Sequence, residues 1–149
     1  MKLNYLISLL EKSTLDISVR CGSDQGSPDS AEVKELVSDS RKSSEGSIFA
    51  CVAGEHTDGH DFAAAAISSG ASALLCERPL DTDVPQIICK DVRRNMGRIA
   101  SLLYGEPASK LKMIVMTGTN GKTTSTFMTR SVLREAGIKA GLLGTVWCD

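Results

Sequence analysis

The sequence predicts an α/β fold in two parts, a mixed α/β domain over residues 1–106 and the first βαβ unit of a second domain over 107–149. Two observations lead to this prediction. Short apolar runs of strand character alternate with segments whose apolar residues recur at helical spacing. The polar segment "GEPASK" at 105–110, which contains glycine and proline, then marks the boundary between the two parts.

The first domain is predicted to begin with an amphipathic helix, because Leu3, Leu6, Ile7 and Leu10 fall on one helical face. Four runs are read as strands: "VKELVSDS" (33–40), "SIFACVAG" (47–54), "ASALLCE" (71–77) and "PQIICK" (85–90). The run 47–54 is almost entirely apolar, which is typical of a strand buried on both faces.

Two further helices are predicted between and after these strands. The segment "FAAAAISS" (62–69) would be capped by Asp61 and ended by Gly70. The segment 92–104 would be capped by Asp91 and ended by Gly105. Its core-facing stripe consists of Val92, Met96, Ile99 and Leu103.

The second part is predicted as a strand at 112–116, a helix at about 122–136 and a strand at 138–144, with Gly137 ending the helix. Thr124, Met128, Val132 and Ala136 share one helical face, which we expect to pack against a sheet. A strand, a helix and a strand in this order imply parallel strands.

Composition excludes several classes of protein. The 149 residues are 42% hydrophobic and 23% charged with a net charge of −1, so nothing indicates nucleic-acid binding. No apolar run is long enough to span a bilayer, so we predict no membrane insertion. A cytoplasmic location is the default expectation, and we further expect a monomer. Cys51, Cys76 and Cys89 lie in strand-like runs and are predicted to be small buried residues.

The stretch "KMIVMTGTNGKTTSTFMTR" (112–130) places two glycines and a lysine between an apolar run and a helix. Asn120-Gly121 alone would suggest a hairpin turn, but the residues after it follow a helical period. Glycines let the backbone approach an anion, and unpaired N–H groups at a helix start attract it. The pattern G-x-x-x-x-G-K-[ST] is matched in its second half only, since Met116 stands at the first glycine.

We therefore predict a phosphate-binding loop that holds the β- and γ-phosphates of a nucleotide and Mg²⁺. The residues that bind these phosphates would be Gly118, Thr119, Asn120, Gly121, Lys122, Thr123 and Thr124. Lys122 would bridge the β- and γ-phosphates and act in catalysis, and the Thr123 hydroxyl would bind Mg²⁺. For Thr124 a packing role on the apolar helix face is nearly as good an explanation.

The loop "TGTNGKTT" (117–124) resembles the ATP-binding loop of the Mur ligases, which build the peptide stem of bacterial peptidoglycan. A second match is "SDSRKSSEGSIFACVAGEHTDGHDF" (38–62). With "GLLGT" (141–145), the pattern most resembles the member that adds the third amino acid, diaminopimelate or L-lysine, to UDP-N-acetylmuramoyl-L-alanyl-D-glutamate.

The resemblance implies that the first domain holds the UDP end of that substrate and that the second is a P-loop ATPase domain. Ser38, Ser40, Glu55, His56 and Thr57 would be the substrate-binding residues. From the residues alone, Ser40 is better explained as a turn or capping serine, and Asp39 with Arg41 as a local ion pair. His56 and His60 are four apart in a loop, so we predict no metal site there.

The resemblance also implies ATP-dependent amide formation through an acyl-phosphate, in a longer ligase of which this chain would be an inactive N-terminal fragment. Two alternatives stay open. One is the Mur ligase that adds D-alanyl-D-alanine, which shares the D-S-R region. The other is a non-catalytic module that binds a UDP-sugar.

Overall fold

The computed structural model describes residues 1–13, 15–21, 31–55 and 57–144. These residues belong to two compact units, Met1–Lys110 and Leu111–Asp149. Among the described residues, no helix combines the length and apolar character that crossing a bilayer requires.

The first unit is built on a five-stranded sheet. Its strands are β1 (Ile17–Arg20), β2 (Glu35–Val37), β3 (Ser47–Ala50), β4 (Ala73–Cys76) and β5 (Gln86–Cys89). They are arranged in the order β1-β5-β4-β3-β2. Strands β2 to β5 run parallel, and β1 pairs antiparallel with β5 at one edge, with Ile17 opposite Cys89.

Three helices cover the two faces of this sheet: α1 (Leu3–Glu11), α2 (Ala63–Ser68) and α3 (Val92–Leu103). Alternate residues of β3 point to opposite faces, since Ile48 packs with α1 and α3 whereas Phe49 packs with α2. All four residues of β3 and of β4 are buried. The run 47–54 was predicted as a strand buried on both faces, and this is confirmed for Ser47–Ala50, whereas Ala53 and Gly54 lie beyond the strand and are exposed.

Most of the predicted helix boundaries are confirmed. The Asp91 carboxylate caps α3 by accepting a hydrogen bond from the Arg94 amide at 2.8 Å. Gly70 and Gly105 follow α2 and α3 with φ of 107° and 73°, the left-handed conformation that glycine adopts without strain. The cap at Asp61 is wrong, because α2 continues from a short 3₁₀ helix, Gly59–Phe62, that is capped by Asp58 instead.

Two other details differ from the sequence prediction. Strand β1 was not predicted, and β2 is only three residues long where eight had been assigned.

The three cysteines Cys51, Cys76 and Cys89 are buried as predicted. Burial raises the pKa of Cys51 to about 12 and that of Cys76 to about 11, so these thiols stay protonated and pack as small apolar groups.

The second unit contains helix α4 (Lys122–Glu135), which starts after Gly121 and is followed by Gly137 in the left-handed conformation. Among the described residues, the segments predicted as strands at 112–116 and 138–144 form no β-ladder. A strand needs neighbouring backbone to bond with, and the residues of this unit that the structure describes form no sheet for them. The apolar side chains of Ile114, Val115 and Met128 are consequently 64%, 81% and 65% exposed, so the predicted buried face of α4 is solvent-facing.

Candidate functional site

The predicted substrate-binding residues lie at the carboxyl edge of the sheet. Because β2 and β3 are parallel, the segments that follow them leave the sheet at the same edge. Ser38 and Ser40 follow β2, and Glu55 and Thr57 lie in the loop after β3, with exposed side chains at Glu55 and Thr57. Ligands of open α/β sheets bind outside this edge. His56 lies outside the described residues.

A short 3₁₀ helix, Ser40–Lys42, follows β2 and is capped by Asp39. The Asp39 carboxylate accepts two hydrogen bonds from the Arg41 guanidinium, from Nε at 2.9 Å and from Nη2 at 2.8 Å. This confirms the local ion pair. The Arg41 bonds hold the pKa of Asp39 at about 2. Ser40 is the first residue of this helix and is half-buried beside the pair.

Residues 53–55, 57 and 58 form the described part of a tight hairpin, which we call the edge hairpin. The Gly54 amide donates to the Thr57 carbonyl at 2.9 Å, and Ala53 pairs with Asp58 in an isolated antiparallel bridge. The Gly59 amide then donates to the Val52 carbonyl at 3.0 Å, so the chain returns directly beside the end of β3. The backbone of the edge hairpin is therefore fixed at its base, while Glu55 and Thr57 point to solvent.

The base of the edge hairpin carries a polar network centred on Asp58. Its carboxylate accepts from the His60 amide at 3.0 Å, pairs with His60 Nδ1 at 2.6 Å, and accepts from the Arg78 guanidinium at 2.8 Å. The bonds from His60 and Arg78 hold the pKa of Asp58 well below its usual range. This network was not predicted from the sequence. The sequence does contain a signal for it, because the order Asp-Gly-His stands directly before a predicted helix. The predicted cap of that helix was Asp61 instead of Asp58.

We expect Asp58→Asn to weaken the acid dependence of stability. A carboxylate whose pKa is lowered by folding adds stability above its unfolded pKa of about 4 and loses it as the pH falls further. The wild-type chain should therefore lose stability from about pH 4 to 2, and D58N should lose less over that range. Urea unfolding at a series of pH values measures this. The exposed Asp81→Asn variant is the control, and equal acid slopes for D58N and wild type would contradict the assignment.

The predicted phosphate loop precedes α4 in the second unit. Gly118 and Gly121 have φ of 148° and 76°, which are strained for residues with a side chain. Helix α4 has Gly121 as its N-cap, with no side chain bonded to the amides of the first turn and no acidic residue there. The N–H groups of that first turn are thus not covered by a cap, and all residues from Thr117 to Ser125 are exposed.

Lys122 is the first residue of α4, and its ammonium group lies over the loop. It donates to the carbonyl of Gly118 and, at 3.4 Å, to that of Thr119. The charge is therefore held on the loop rather than away from it. Thr123 and Thr124 are also exposed, so the predicted packing alternative for Thr124 has no partner surface within the described part of this unit.

A magnesium ion at this loop would depend on few protein ligands. Mg²⁺ keeps several waters and is commonly held by one or two protein oxygens together with phosphates. The exposed Thr123 hydroxyl, next to Lys122, fits that requirement. Among the described residues, no cluster of three or more His, Cys, Asp or Glu side chains forms a separate metal site.

An open cavity of about 520 Å³ lies at the other end of α4, around Arg134 and Gly137, and does not include the loop.

Comparison with known proteins decides the family. The family model described as "Mur ligase family, catalytic domain" matches residues 32–104. The UDP-N-acetylmuramoyl-L-alanyl-D-glutamate–2,6-diaminopimelate ligase of Geobacillus kaustophilus is 46% identical over 121 residues, which is 81% of this chain and 24% of that ligase. The ligase of the same name from Listeria monocytogenes is 37% identical over 147 residues, 99% of this chain and 28% of that protein. The chain belongs to the Mur ligase family.

Solved Mur ligase structures share the fold. MurF from Acinetobacter baumannii matches 87% of this chain with a TM-score of 0.67 and 29% identity, using 27% of its own length. MurF from Thermotoga maritima in complex with ADP matches 69% of the chain with a TM-score of 0.55 and 27% identity, using 24% of its length. The α/β class and the Mur ligase resemblance are thus confirmed. This Mur ligase chain spans about a quarter of the length of the curated relatives it matches.

Proposed function

We propose that this chain supplies the UDP-substrate domain and the start of the ATP-binding domain of a Mur ligase. The ligase would add the third amino acid, meso-diaminopimelate or L-lysine, to UDP-N-acetylmuramoyl-L-alanyl-D-glutamate in peptidoglycan synthesis. The single observation that carries the proposal is likeness across both units, since the Listeria monocytogenes ligase aligns over 99% of this chain. A cytoplasmic location and a monomeric state remain predictions.

In this proposal the carboxyl edge of the first unit receives the UDP end of the substrate. Ser38 and Ser40 on one side, and the edge hairpin with Glu55, His56 and Thr57 on the other, would contact it. The position of the described members in loops after neighbouring parallel strands supports this role. The family match over residues 32–104 covers the same region.

The phosphate loop would hold ATP. The amides of residues 118–124 would bind the β- and γ-phosphates, and Lys122 would neutralise charge on the phosphoryl group in transit. Bound Mg²⁺, with Thr123 as a ligand, would supply further charge neutralisation at the phosphates.

The substrate's D-glutamate carboxylate would attack the γ-phosphorus and release ADP. The incoming amine would then attack the resulting acyl-phosphate, form the amide and release phosphate. The solved MurF of Thermotoga maritima is in complex with ADP, which supports nucleotide binding in this proposal.

The D-alanyl-D-alanine-adding ligase is the second candidate. Four of the solved neighbours carry that activity or the name MurF, at 27% to 33% identity. The curated relatives at 37% to 48% identity carry the name of the third-residue ligase instead. The higher identity over similar or greater lengths favours the third-residue ligase.

A hybrid ligase tests the proposal. Residues 1–144 of this chain would be joined to the remaining length of the Listeria monocytogenes ligase. The hybrid would be assayed by mass spectrometry with ATP and one of two substrate pairs: the UDP-muramoyl-dipeptide with diaminopimelate, or the UDP-muramoyl-tripeptide with D-alanyl-D-alanine. We expect product from the first pair only. Product from the second pair only would contradict the proposal and favour the second candidate.

The 149-residue chain on its own is the companion measurement. By calorimetry we expect it to bind the UDP-muramoyl-dipeptide and to bind UDP-N-acetylglucosamine more weakly. We expect no amide product from it, because the proposed role covers only the substrate domain and the start of the ATP-binding domain. Product formed by this chain alone would show that the remaining length of the relatives is not needed.

A further inference from the structure

Among the described residues, three separate side chains connect the edge hairpin to the rest of the first unit. The Arg93 guanidinium of α3 donates to the Ala53 carbonyl at 3.0 Å. Arg78, after β4, pairs with Asp58 at 2.8 Å. These two contacts are at the surface, with the Arg78 side chain 55% exposed, so each contributes little rigidity by itself.

The third tie, His60, is buried. Its side chain is only 1% exposed, and both ring nitrogens are engaged. Nε2 accepts a hydrogen bond from the Glu77 amide at 3.1 Å, at the end of β4. Because Nε2 accepts, the ring proton sits on Nδ1 and is donated to Asp58 at 2.6 Å. The neutral imidazole therefore connects a carboxylate of the edge hairpin to the backbone of a core strand.

Glu77 extends this connection to α3. Its carboxylate accepts a hydrogen bond from the Val92 amide at 3.0 Å, in the first turn of that helix. The edge hairpin, the end of β4 and the start of α3 thus share one chain of hydrogen bonds that passes through His60. A buried polar group is costly to leave unpaired, so the ring holds its two partners at fixed positions.

We propose that His60 is a positioning residue that holds the edge hairpin in the shape that receives the UDP end of the substrate. This inference rests on the proposed function of the carboxyl edge. His60 itself does not contact the ligand. It acts through Asp58 and the hairpin backbone, which carry Glu55 and Thr57.

Two conservative substitutions separate the two bonds of the ring. In His60→Asn the side-chain amide can still donate to Asp58 but cannot reach Glu77. In His60→Gln the amide oxygen can accept from the Glu77 amide, and the bond to Asp58 is lost. We expect each variant to weaken binding of the UDP-muramoyl-dipeptide to the 149-residue chain about tenfold, and His60→Ala to weaken it more.

The matched control is Ser72→Ala. The Ser72 hydroxyl accepts from the Gly46 amide at 2.9 Å, at the opposite, amino edge of the same sheet. Its loss should lower the unfolding temperature without changing the affinity measured well below that temperature. If the His60 variants likewise changed only stability and bound the dipeptide as tightly as wild type, His60 would be a structural residue only and the inference would fail.

Spectroscopy on the wild-type chain makes the test independent of how well the variants fold. The imidazole ¹⁵N spectrum should show a protonated Nδ1 and an unprotonated Nε2 at neutral pH. A proton on Nε2 would overturn the inference, because that nitrogen could not accept from the Glu77 amide.

The outcomes of the binding measurements also separate the two proposals. Wild-type chain that binds no UDP-muramoyl-dipeptide overturns the proposed function and this inference with it, whereas unaffected binding in the variants overturns this inference alone.

Discussion

Gly59→Ala should destabilise the first unit by about 2–3 kcal/mol, because the added methyl group has no space. A Cβ at this position would lie 2.5 Å from the Val52 nitrogen, 2.7 Å from the Val52 oxygen and 2.9 Å from the Cys51 carbonyl carbon. All three are backbone atoms directly after the buried strand β3, so no side chain can rotate away. The Gly59 amide would also be pushed off the Val52 carbonyl that it bonds at 3.0 Å.

The measurement is thermal and urea unfolding followed by circular dichroism, where a loss of this size lowers the midpoint by about 10 °C or more. Gly97→Ala is the matched control. Gly97 lies inside α3, and a Cβ there meets no atom within 4 Å. It should therefore raise stability by up to about 1 kcal/mol through helix propensity. A G59A variant as stable as wild type would mean that the hairpin base is not packed against β3 as described.

The core of the first unit could be predicted from sequence because its signals are local. The runs containing Phe49, Leu74 and Ile87 are short and apolar, and they are bounded by polar turns, which is the pattern of strands buried on both faces. Caps and stops such as Asp91, Gly70 and Gly105 act within one helical turn, so the residues around them suffice. The cap predicted at Asp61 is wrong, because the Asp58 carboxylate, three residues earlier, caps the 3₁₀ helix from which α2 continues.

The features that were missed depend on partners distant in sequence. Strand β1 has only four residues with alternating half-burial, and it becomes a strand by pairing with β5 about seventy residues later. The bond between His60 and the Glu77 amide spans 17 residues and exists only once β3 and β4 are adjacent. No spacing rule along the chain can show such a contact.

In the second unit, the strand prediction depended on distant partners, whereas the helix prediction depended on local signals. The residues at 112–116 have strand propensity, yet propensity alone does not form a ladder without a neighbouring strand. Helix α4 and the glycines at 118 and 121 were predictable because an N-terminal Lys, a loop of small residues and a C-terminal Gly137 are local signals. The conformation of the loop and the start of α4 are therefore the part of the candidate site that sequence defines best, and anion binding there stays a prediction.

Lys122→Ala should give the largest loss of activity of any single change in this chain. In the hybrid ligase described above we expect the rate of ATP-dependent ligation to fall about 10²–10³-fold, the scale for removing one preorganised group that stabilises developing charge. Affinity for ATP should fall as well, because an ammonium group at the loop attracts the polyphosphate before reaction. Steady-state kinetics with ATP as the varied substrate separates the two effects.

Removal of Lys122 also removes its hydrogen bonds to the carbonyls of Gly118 and Thr119, so loss of activity could come from a distorted loop. Lys122→Gln separates the two causes, since its amide can donate to those carbonyls but carries no charge. If charge is what matters, Gln and Ala should be equally impaired. Lys112→Ala, which removes an exposed ammonium group just before the loop, should leave the rate within about twofold, because an exposed charge is screened by water and salt. A Gln variant that restored the wild-type rate and ATP affinity would assign Lys122 to loop structure and leave the helix N-terminus alone to bind phosphate.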